Sequence, residues 1–306
     1  MIQFADVVPM ESIVRRAPLA LRLMDTVFNQ QITDQLVVTA YRLDAAQSPV
    51  LKITDISQAR SAERSRMSGL YGFASLDGLS GYEWDRQPAS DYCPGPGAPA
   101  NYAIVIQDVA GRFLPQTLAL CLPNATPQDN LFEVDLFSTA SRLLPDTFGV
   151  IRAELWDISQ GRPAAWAVMK ATFAPNLDYV AVADARGVAT VFVPYPPPDQ
   201  SPLFGSQPIF KLTWPYAVQV HYAPSTHKFV QQPNGTKMAG LPPTTTSILN
   251  QETLPPVTLI VDRPHAGPDV EADVLAVNLA FRADLIVKTR GNNSTGQPLS
   301  RLLVKL

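Results

Sequence analysis

Short segments in which apolar and polar residues alternate follow one another along most of the chain. In the first of them, Leu19, Leu21 and Leu23 fall on one face, which is the two-residue period of a β-strand. Segments of the same kind, rich in β-branched and aromatic residues, lie at 36–41, 70–73, 102–108, 113–122, 148–156, 163–173, 179–183, 188–193, 217–222, 274–282, 284–289 and 299–306. The pattern predicts an all-β protein built from two β-sandwiches in tandem.

Irregular segments rich in turn-forming residues divide the predicted strands into groups. We expect an N-terminal arm over 1–16, a first sandwich over 17–123, a linker over 124–147 and a second sandwich over 148–222. Residues 223–306 are predicted to form a long loop and a C-terminal β-hairpin. That hairpin is expected either to complete the second sandwich or to dock on a neighbour.

Two patterns containing aspartate recur in both halves of the sequence. Each half begins with an Arg in a strand and an Asp at the end of that strand, and each later has an Asp and a Gly between two strands. The residues are Arg22, Asp25, Asp108 and Gly111 in the first half, and Arg152, Asp157, Asp184 and Gly187 in the second. Asp accepts hydrogen bonds from turn amides, and Gly adopts positive φ in tight turns. The recurrence indicates a weak internal repeat, although any two β-sandwiches can share such turns.

Composition favours short strands and points to covered surface. Proline accounts for 29 of 306 residues, about twice the usual ~5%, and it breaks helix interiors. Charged residues make up 17%, below the usual figure of about 25%, so we expect partners to cover part of the surface. The net charge of −3 and the lack of any Lys/Arg-rich stretch argue against nucleic-acid binding.

The sequence contains neither a recognisable secretory signal nor a run of 18 apolar residues. We therefore expect a cytoplasmic location without direct membrane insertion. Cys93 and Cys121 are expected to be reduced thiols, although they could pair if both lie at one end of the first domain.

No catalytic, phosphate-binding or dinucleotide-binding motif occurs, so we expect no enzymatic activity and no cofactor. His221 and His227 lack a third ligand nearby, which argues against a metal site. The aspartates at strand ends are interpreted as turn formers, because no dense acidic cluster accompanies them. Trp84 lies in a polar stretch and is a candidate for stacking on a ligand.

Residues 69–79, Gly-Leu-Tyr-Gly-Phe-Ala-Ser-Leu-Asp-Gly-Leu, resemble a stretch of carboxypeptidase-regulatory-like, transthyretin-like domains. The likeness is greatest to the versions that accompany contractile, phage-tail-like injection systems. Further similar segments lie at 108–115, 163–168, 183–187, 194–196, 284–291 and 299–304. The resemblance covers roughly residues 17–306, and residues 224–256 have no counterpart in it.

The resemblance implies transthyretin-like or Ig-like sandwiches in a structural subunit of a contractile injection particle. It places the subunit at the cap that ends the tube, with the baseplate as the alternative, in a six-fold homo-oligomeric ring beside tube, sheath, cap or baseplate proteins. Strand edges and the C-terminal hairpin are the expected contact elements. The residues expected to make these contacts are Leu285, Val287, Leu302 and Val304.

Two other classes of protein compete with a structural subunit. A carbohydrate- or surface-binding β-sandwich module would present exposed aromatic side chains such as Trp84. An enzyme would need convergent polar groups, and the sequence offers none. If the chain is an assembly subunit, residues 223–256 are expected to be protease-sensitive in the free protein and protected in the assembly, and the sequence leaves open whether they are ordered alone.

Overall fold

Strands dominate the computed structural model, which describes residues 14–15, 17–44, 50–79, 84–85, 100–122, 130–173, 177–195, 213–261, 270–288 and 301–306. The strands of the first half are β1 (Val14–Arg15), β2 (Ala20–Asp25), β3 (Gln30–Gln31), β4 (Val37–Arg42), β5 (Leu51–Lys52), β6 (Arg60–Ser61), β7 (Glu63–Arg64), β8 (Tyr71–Gly72), β9 (Trp84–Asp85), β10 (Ala100–Gln107), β11 (Gln116–Leu122) and β12 (Leu131–Leu136).

The strands of the second half are β13 (Phe148–Asp157), β14 (Arg162–Pro163), β15 (Val168–Phe173), β16 (Leu177–Val182), β17 (Val188–Pro194), β18 (Thr213–His221), β19 (Val230–Gln231), β20 (Thr258–Val261), β21 (Val270–Ala272), β22 (Leu275–Ala280), β23 (Leu285–Val287) and β24 (Leu302–Lys305). Helical structure in the described residues comprises α1 (Thr245–Leu249) and short 3-10 turns that include Ile56–Gln58, Pro224–Thr226 and Asn250–Thr253. The chain is all-β, as predicted.

Two sheets pack face to face in the first sandwich. One has the strand order β11-β10-β4-β6, and the other has the order β12-β2-β8-β7, with β3 as an additional partner of β2. Leu21 and Leu23 on β2 are fully buried between the sheets, as the alternation predicts. Tyr71 and Phe73, from the segment that resembles transthyretin-like domains, lie in the same core.

Two tyrosines of this core satisfy their hydroxyls with the backbone. The Tyr71 hydroxyl donates to the carbonyl of Asp34 at 2.9 Å and accepts from the amide of Leu36 at 2.8 Å. The Tyr102 hydroxyl donates to the carbonyl of Asp77 at 2.6 Å, and burial raises the pKa of Tyr102 to about 12. Because an unpartnered buried hydroxyl costs free energy, these bonds hold two loops against the core.

The ten-residue strand β13 is the centre of the second sandwich. Its side chains alternate between buried and half-buried positions along its whole length. One edge of β13 pairs antiparallel with β17 and β14, and the other edge pairs in parallel with β23 and β24. The sheet continues through β20 and β21, and the sheet β16-β15-β18-β22 packs against it.

The two sandwiches share one topology. The first strand of each, β2 or β13, pairs antiparallel with β8 or β17 on one edge. On the other edge it pairs in parallel with β12, or with β23 and β24. In the facing sheets, the order β11-β10-β4-β6 corresponds to β22-β18-β15-β16. These matching pairings support the internal repeat.

One predicted correspondence between the halves does not hold. Asp108 and Gly111 lie in the hairpin between β10 and β11. Asp184 and Gly187 connect β16 in one sheet to β17 in the facing sheet, so this turn crosses from sheet to sheet and does not close a hairpin. Local turn chemistry is the same in both cases, and only the long-range pairing distinguishes them.

The predicted linker over 124–147 contains a strand of the first sandwich. Strand β12 pairs in parallel with β2 over six residues, from Leu131 beside Ala20 to Leu136 beside Asp25, and Leu136 is fully buried. The first sandwich therefore extends beyond residue 123. Phe132, Val134 and Leu136 alternate with Glu133 and Asp135 as in a half-buried strand, but a parallel partner that is distant in sequence gives no local turn signal.

The C-terminal strands do not form the predicted hairpin. Strand β23 lies beside Ile151–Ala153, β24 lies beside Leu155–Asp157, and both run parallel to β13. The turn predicted between them lies outside the described residues. Both strands therefore complete the sheet of their own sandwich.

Residues 223–256, here called the strap, fold back onto the first sandwich. Strand β19 in the strap pairs in parallel with β5. Val230 is 2% exposed and packs against Leu43, Ile53 and Ala103. Helix α1 lies against β11, where Thr244 forms an isolated bridge with Thr117. The strap therefore has its own apolar anchor within the chain.

The anchor of the strap predicts a measurable loss of stability. Val230→Ala should lower the free energy of unfolding by about 2 kcal/mol, since a fully buried valine contributes about that much. Val274→Ala, the same change at a position that is 45% exposed, should alter it by less than about 0.5 kcal/mol. Chemical denaturation of both variants measures the difference. Equal effects would mean that the strap does not rest on the first sandwich in solution.

Candidate functional site at the junction of the two sandwiches

A buried ion pair occupies the junction between the sandwiches. Arg142, in the segment that connects β12 to β13, donates from Nη1 to Asp25 Oδ1 at 3.0 Å and from Nη2 to Asp25 Oδ2. The two side chains are only 8% and 9% exposed. Nη1 also donates to Ser138 Oγ at 2.7 Å. The bidentate geometry satisfies both charges where water cannot.

Aromatic rings surround this ion pair. The guanidinium carbon of Arg142 lies 4.7 Å from the ring centroid of Phe113 and 5.3 Å from that of Phe28. Phe28 in turn meets Phe148, the first residue of β13, edge to face at 5.3 Å. The rings and the guanidinium therefore link the end of the first sandwich to the start of the second.

A second contact lies on the side of the strap. Leu114 and Phe137 of the first sandwich pack against Val168 and Val182 of the second, and Ile248 of the strap joins this cluster. The two sandwiches thus meet through a small apolar core that the strap closes.

Gln251 fixes the strap at this cluster. It is fully buried, and its amide nitrogen donates to the carbonyls of Trp166 and Ile248 at 2.9 and 3.0 Å. Its amide oxygen accepts from the amide of Ala223 at 2.7 Å. Trp166 has positive φ (65°), so Gln251 holds an uncommon backbone conformation in place.

The aspartates that follow β2 and β13 form equivalent turns. Asp25 Oδ1 accepts from the amide of Val27 at 2.9 Å. Asp157 Oδ1 accepts from the amides of Ser159 and Gln160 at 2.9 and 3.1 Å. Each carboxylate mimics a backbone acceptor at the end of the strand, which is the geometry of an Asx turn.

The two arginines of the predicted repeat have different partners. Arg22 pairs with Glu133 at 3.5 Å, and both side chains are well exposed. Arg152 donates to the carbonyl of Ala140 at 3.0 Å, in the segment that connects the sandwiches. The repeat therefore preserves the turns and not the roles of the arginines.

Asp108 organises the hairpin between β10 and β11. Its oxygens accept from the amides of Ala110 and Arg112 at 3.1 and 2.9 Å, and from the Arg112 guanidinium at 3.0 Å. Burial alone would raise the pKa of Asp108, but Arg112 and the backbone amides outweigh it and lower that pKa overall. Gly111 has φ 69°, and a Cβ there would meet nothing within 4 Å.

Asp184 and Gly187 form the tighter of the two predicted turns. Asp184 Oδ1 accepts from the amides of Arg186 and Val188 at 2.8 and 2.9 Å. Gly187 has φ 80°, and a Cβ at this position would lie 2.5 Å from the carbonyl oxygen of Leu155. Glycine is therefore required here both by φ and by the close approach of β13.

The residues predicted to contact neighbours lie elsewhere. Val287, Leu302 and Val304 are at most 3% exposed and belong to the core of the second sandwich, against which Leu285 also packs. They are not available to a second chain without unfolding the first. For Trp84, only the pairing of its backbone with Arg15 is described.

The described residues offer few groups for catalysis or metal binding. His221 Nδ1 lies 3.0 Å from the carbonyl oxygen of Leu254, and His227 lies between the rings of Tyr222 and Phe229. No group of three or more His, Cys, Asp or Glu in the described ranges is arranged to hold a metal ion. Cys121 is an exposed free thiol, and Cys93 lies outside the described residues.

Two concave surfaces flank the junction. A cleft of about 380 Å³ between the sandwiches is lined by the carboxylates of Asp135, Asp178 and Glu252, and Lys170 pairs with Asp178 at 2.6 Å. A groove of about 850 Å³ separates the strap from β5 of the first sandwich. No helix in the part of the chain that the structure describes is long and apolar enough to cross a membrane.

No protein-family model matches the sequence, and no curated protein matches it either. Comparison with solved structures finds weak likenesses to proteins that include two pilins. They are the Bacillus anthracis TIE protein (9% identity, 86% of this chain and 44% of that chain, TM-score 0.22), the Streptococcus agalactiae minor pilin GBS52 (7%, 94% and 95%, 0.22) and the Bacillus cereus major pilin subunit BcpA (10%, 96% and 98%, 0.23). The chain spans less than half the length of the TIE protein.

The ion pair at the junction predicts a large effect of a single substitution. Arg142→Met should lower the free energy of unfolding by about 3–5 kcal/mol, because it leaves the Asp25 carboxylate buried without its counter-charge. Arg22→Met removes the exposed pair with Glu133 and should cost less than about 1 kcal/mol. Thermal or urea unfolding of both variants measures the difference in their free energies of unfolding. A small, equal loss in the two variants would contradict the role given to Arg142.

Alanine substitutions in the two glycine turns should lower the free energy of unfolding to different extents. Gly111→Ala should cost about 1 kcal/mol, the price of positive φ for a residue with a Cβ. Gly187→Ala should cost clearly more, because β13 must also shift away from the new methyl group. Urea unfolding of the two variants provides the comparison, and a smaller loss for Gly187→Ala would refute the sheet-crossing turn.

Proposed function

We propose that this chain is a non-enzymatic structural subunit of a contractile, phage-tail-like injection particle, placed at the cap that ends the tube. The observation that carries the proposal is the double connection between the sandwiches, through the segment around Arg142 on one side and the strap on the other. Domains joined by one flexible linker move relative to each other by default. Two connections with a buried ion pair suit a part that must hold its shape under load.

The open edge of β22 supports assembly with neighbours. Among the described strands, β22 pairs only with β18, and its six residues, Leu-Ala-Val-Asn-Leu-Ala, contain no charge and no proline. Natural sheets usually protect such an edge with charges, proline or a covering segment. An edge without charge or proline suits backbone pairing with another subunit, and β22 replaces the C-terminal strands as the expected contact in a six-fold ring.

The particle itself is proposed from the resemblance of residues 69–79 and the other matching segments to domains that accompany contractile injection systems. The cap remains the preferred location and the baseplate the alternative. Tube, sheath, cap or baseplate proteins are the partners in this proposal, and the location is the cytoplasm. The carbohydrate-binding alternative gains no specific support, because the side chain of Trp84 is not described.

Purification from the native host tests the proposal. An affinity tag belongs on the N-terminus, because Leu302 and Val304 near the C-terminus are buried. Negative-stain electron microscopy of the eluate should reveal rods labelled at one end, and the position of the label relative to the baseplate separates cap from baseplate. A soluble monomer without sheath or tube proteins would overturn the particle assignment.

A charge on the β22 edge should reduce incorporation into these rods. Asn278→Lys places a lysine beside the open edge at an exposed position, and lysines at sheet edges prevent strand pairing. Gln58→Lys makes the same kind of change on the exposed turn Ile56–Gln58 and should incorporate normally. Labelled rods per cell measure both variants, and equal incorporation would rule out the β22 contact.

A further inference from the structure

The groove between the strap and the first sandwich is large enough to hold a ligand. Its volume of about 850 Å³ lies near the upper end of the range for ligand-binding pockets, about 300–1,000 Å³. Strand β5 and its neighbour Val50 form one wall, and the strap forms the other. The groove is therefore built from segments that are distant in sequence, and its walls are held together by the β5–β19 pairing.

The charge of this groove is opposite to that of the whole chain. The sequence contains 27 acidic and 24 basic residues, yet the lining includes Lys228, Lys237 and His227 and no carboxylate. In the described ranges, neither lysine has an acidic partner within 4 Å. Glu252, on the same turn as Asn250, instead lines the cleft between the sandwiches. The groove thus concentrates unneutralised positive charge.

One of these charges is held in a defined position. The Lys237 ammonium lies 3.9 Å from the ring centroid of Phe229, a cation–π contact that fixes the ammonium without neutralising it. Burial, followed by the charges of Lys237 and Arg162, lowers the pKa of His227 even though Gln251 opposes the shift. The positive field of the groove therefore reaches the imidazole.

The groove also has apolar side chains at its rim. Val50 and Leu254 are 40% and 39% exposed, and both line the groove. A small inorganic anion would leave these side chains in water and would occupy little of the volume. A segment that carries carboxylates and apolar side chains would use both features of the surface.

We propose that the groove binds an acidic, partly apolar extended segment of a partner protein, whose carboxylates pair with Lys228 and Lys237 while its apolar side chains cover Val50 and Leu254. The inference rests on the proposed function, because it names the chemistry of one partner in the assembly. It does not depend on which particle protein carries the segment.

A peptide of alternating Glu and Leu is the probe for a direct test. Fluorescence anisotropy should show that the labelled Glu-Leu hexapeptide binds and that its Lys-Leu counterpart does not. The double variant Lys228→Glu, Lys237→Glu should bind at least about tenfold more weakly, and Lys288→Glu, a charge reversal outside the groove, should bind like the parent protein. Binding that is absent, or equal in the double variant and the parent, would overturn the proposal.

His227 provides a second readout within the groove. A bound carboxylate opposes the field of Lys237, so the peptide should raise the pKa of the imidazole, followed by NMR titration of its ring proton and assigned with His227→Gln. Inorganic phosphate at the same concentration is the comparison. If phosphate raises the pKa of His227 as much as the peptide does, the groove is a small-anion site and the segment is excluded.

Purification from the host separates the failure of this inference from the failure of the proposed function. The tagged double variant should recover fewer rods than the tagged parent, while Lys288→Glu recovers as many. Equal recovery of rods with the parent and the double variant would show that the groove does not contribute to assembly. The particle assignment would remain intact. If the parent itself recovers no rods, the particle assignment fails, and peptide binding alone then decides the chemistry of the groove.

Discussion

The pairing of Asp25 with Arg142 is the constraint on which the arrangement of the two sandwiches depends. Both groups are more than nine-tenths buried, and a charge at that depth costs free energy unless it is paired and hydrogen-bonded. Asp25 is already fixed, because the same carboxylate accepts the amide of Val27 at the end of β2. Arg142 reaches it only because β12, lying in parallel beside β2, delivers the connecting segment to that end of the sheet. The register of β12, the exit from the first sandwich and the entry to β13 are therefore set together, since a slip of one residue would also turn the buried face of β12 outwards.

The strap provides a second connection between the two sandwiches. It leaves the second sandwich after β18, pairs with β5 of the first sandwich through β19, and returns to the second sandwich at β20. On this return path Gln251 joins the backbone at Trp166 and Ala223. A segment that lies between two strands of the second sandwich in the sequence thus packs on the first sandwich. Hinge motion about the connecting segment would require the strap to detach and Val230 to enter water, so the two units are coupled through burial as well as through the ion pair.

The features that could be predicted from the sequence are those with a local cause. The two-residue alternation locates β2 and β13, and the ability of Asp to accept turn amides accounts for Asp25, Asp108, Asp157 and Asp184. No such local signal indicates how β12, the parallel strands β23 and β24 or the strap are paired, because their partners lie roughly a hundred or more residues away. Arg142 was missed for the same reason. It is a single basic residue in the segment that connects β12 to β13, and its partner Asp25 becomes apparent only once β12 is placed beside β2. The lysines of the groove likewise come together with β5 only in the folded chain.

The burial of the C-terminal strands limits how such a subunit can join others. Releasing β23 and β24 to pair with a neighbour would expose Val287, Leu302 and Val304, each contributing about 1.5–3 kcal/mol through burial. The loss would be roughly 5–9 kcal/mol, which is comparable to the entire stability of a typical domain, about 5–15 kcal/mol. Contacts with a neighbour would have to offset that loss of free energy before association became favourable. An open edge such as β22 carries no such cost, because its outer backbone groups have no partner among the described strands to give up. Binding in the groove beside the strap has no such cost in free energy either, because a ligand there would add contacts and remove none. Assembly of this chain is therefore most favourable through surfaces that its own folding has left unused.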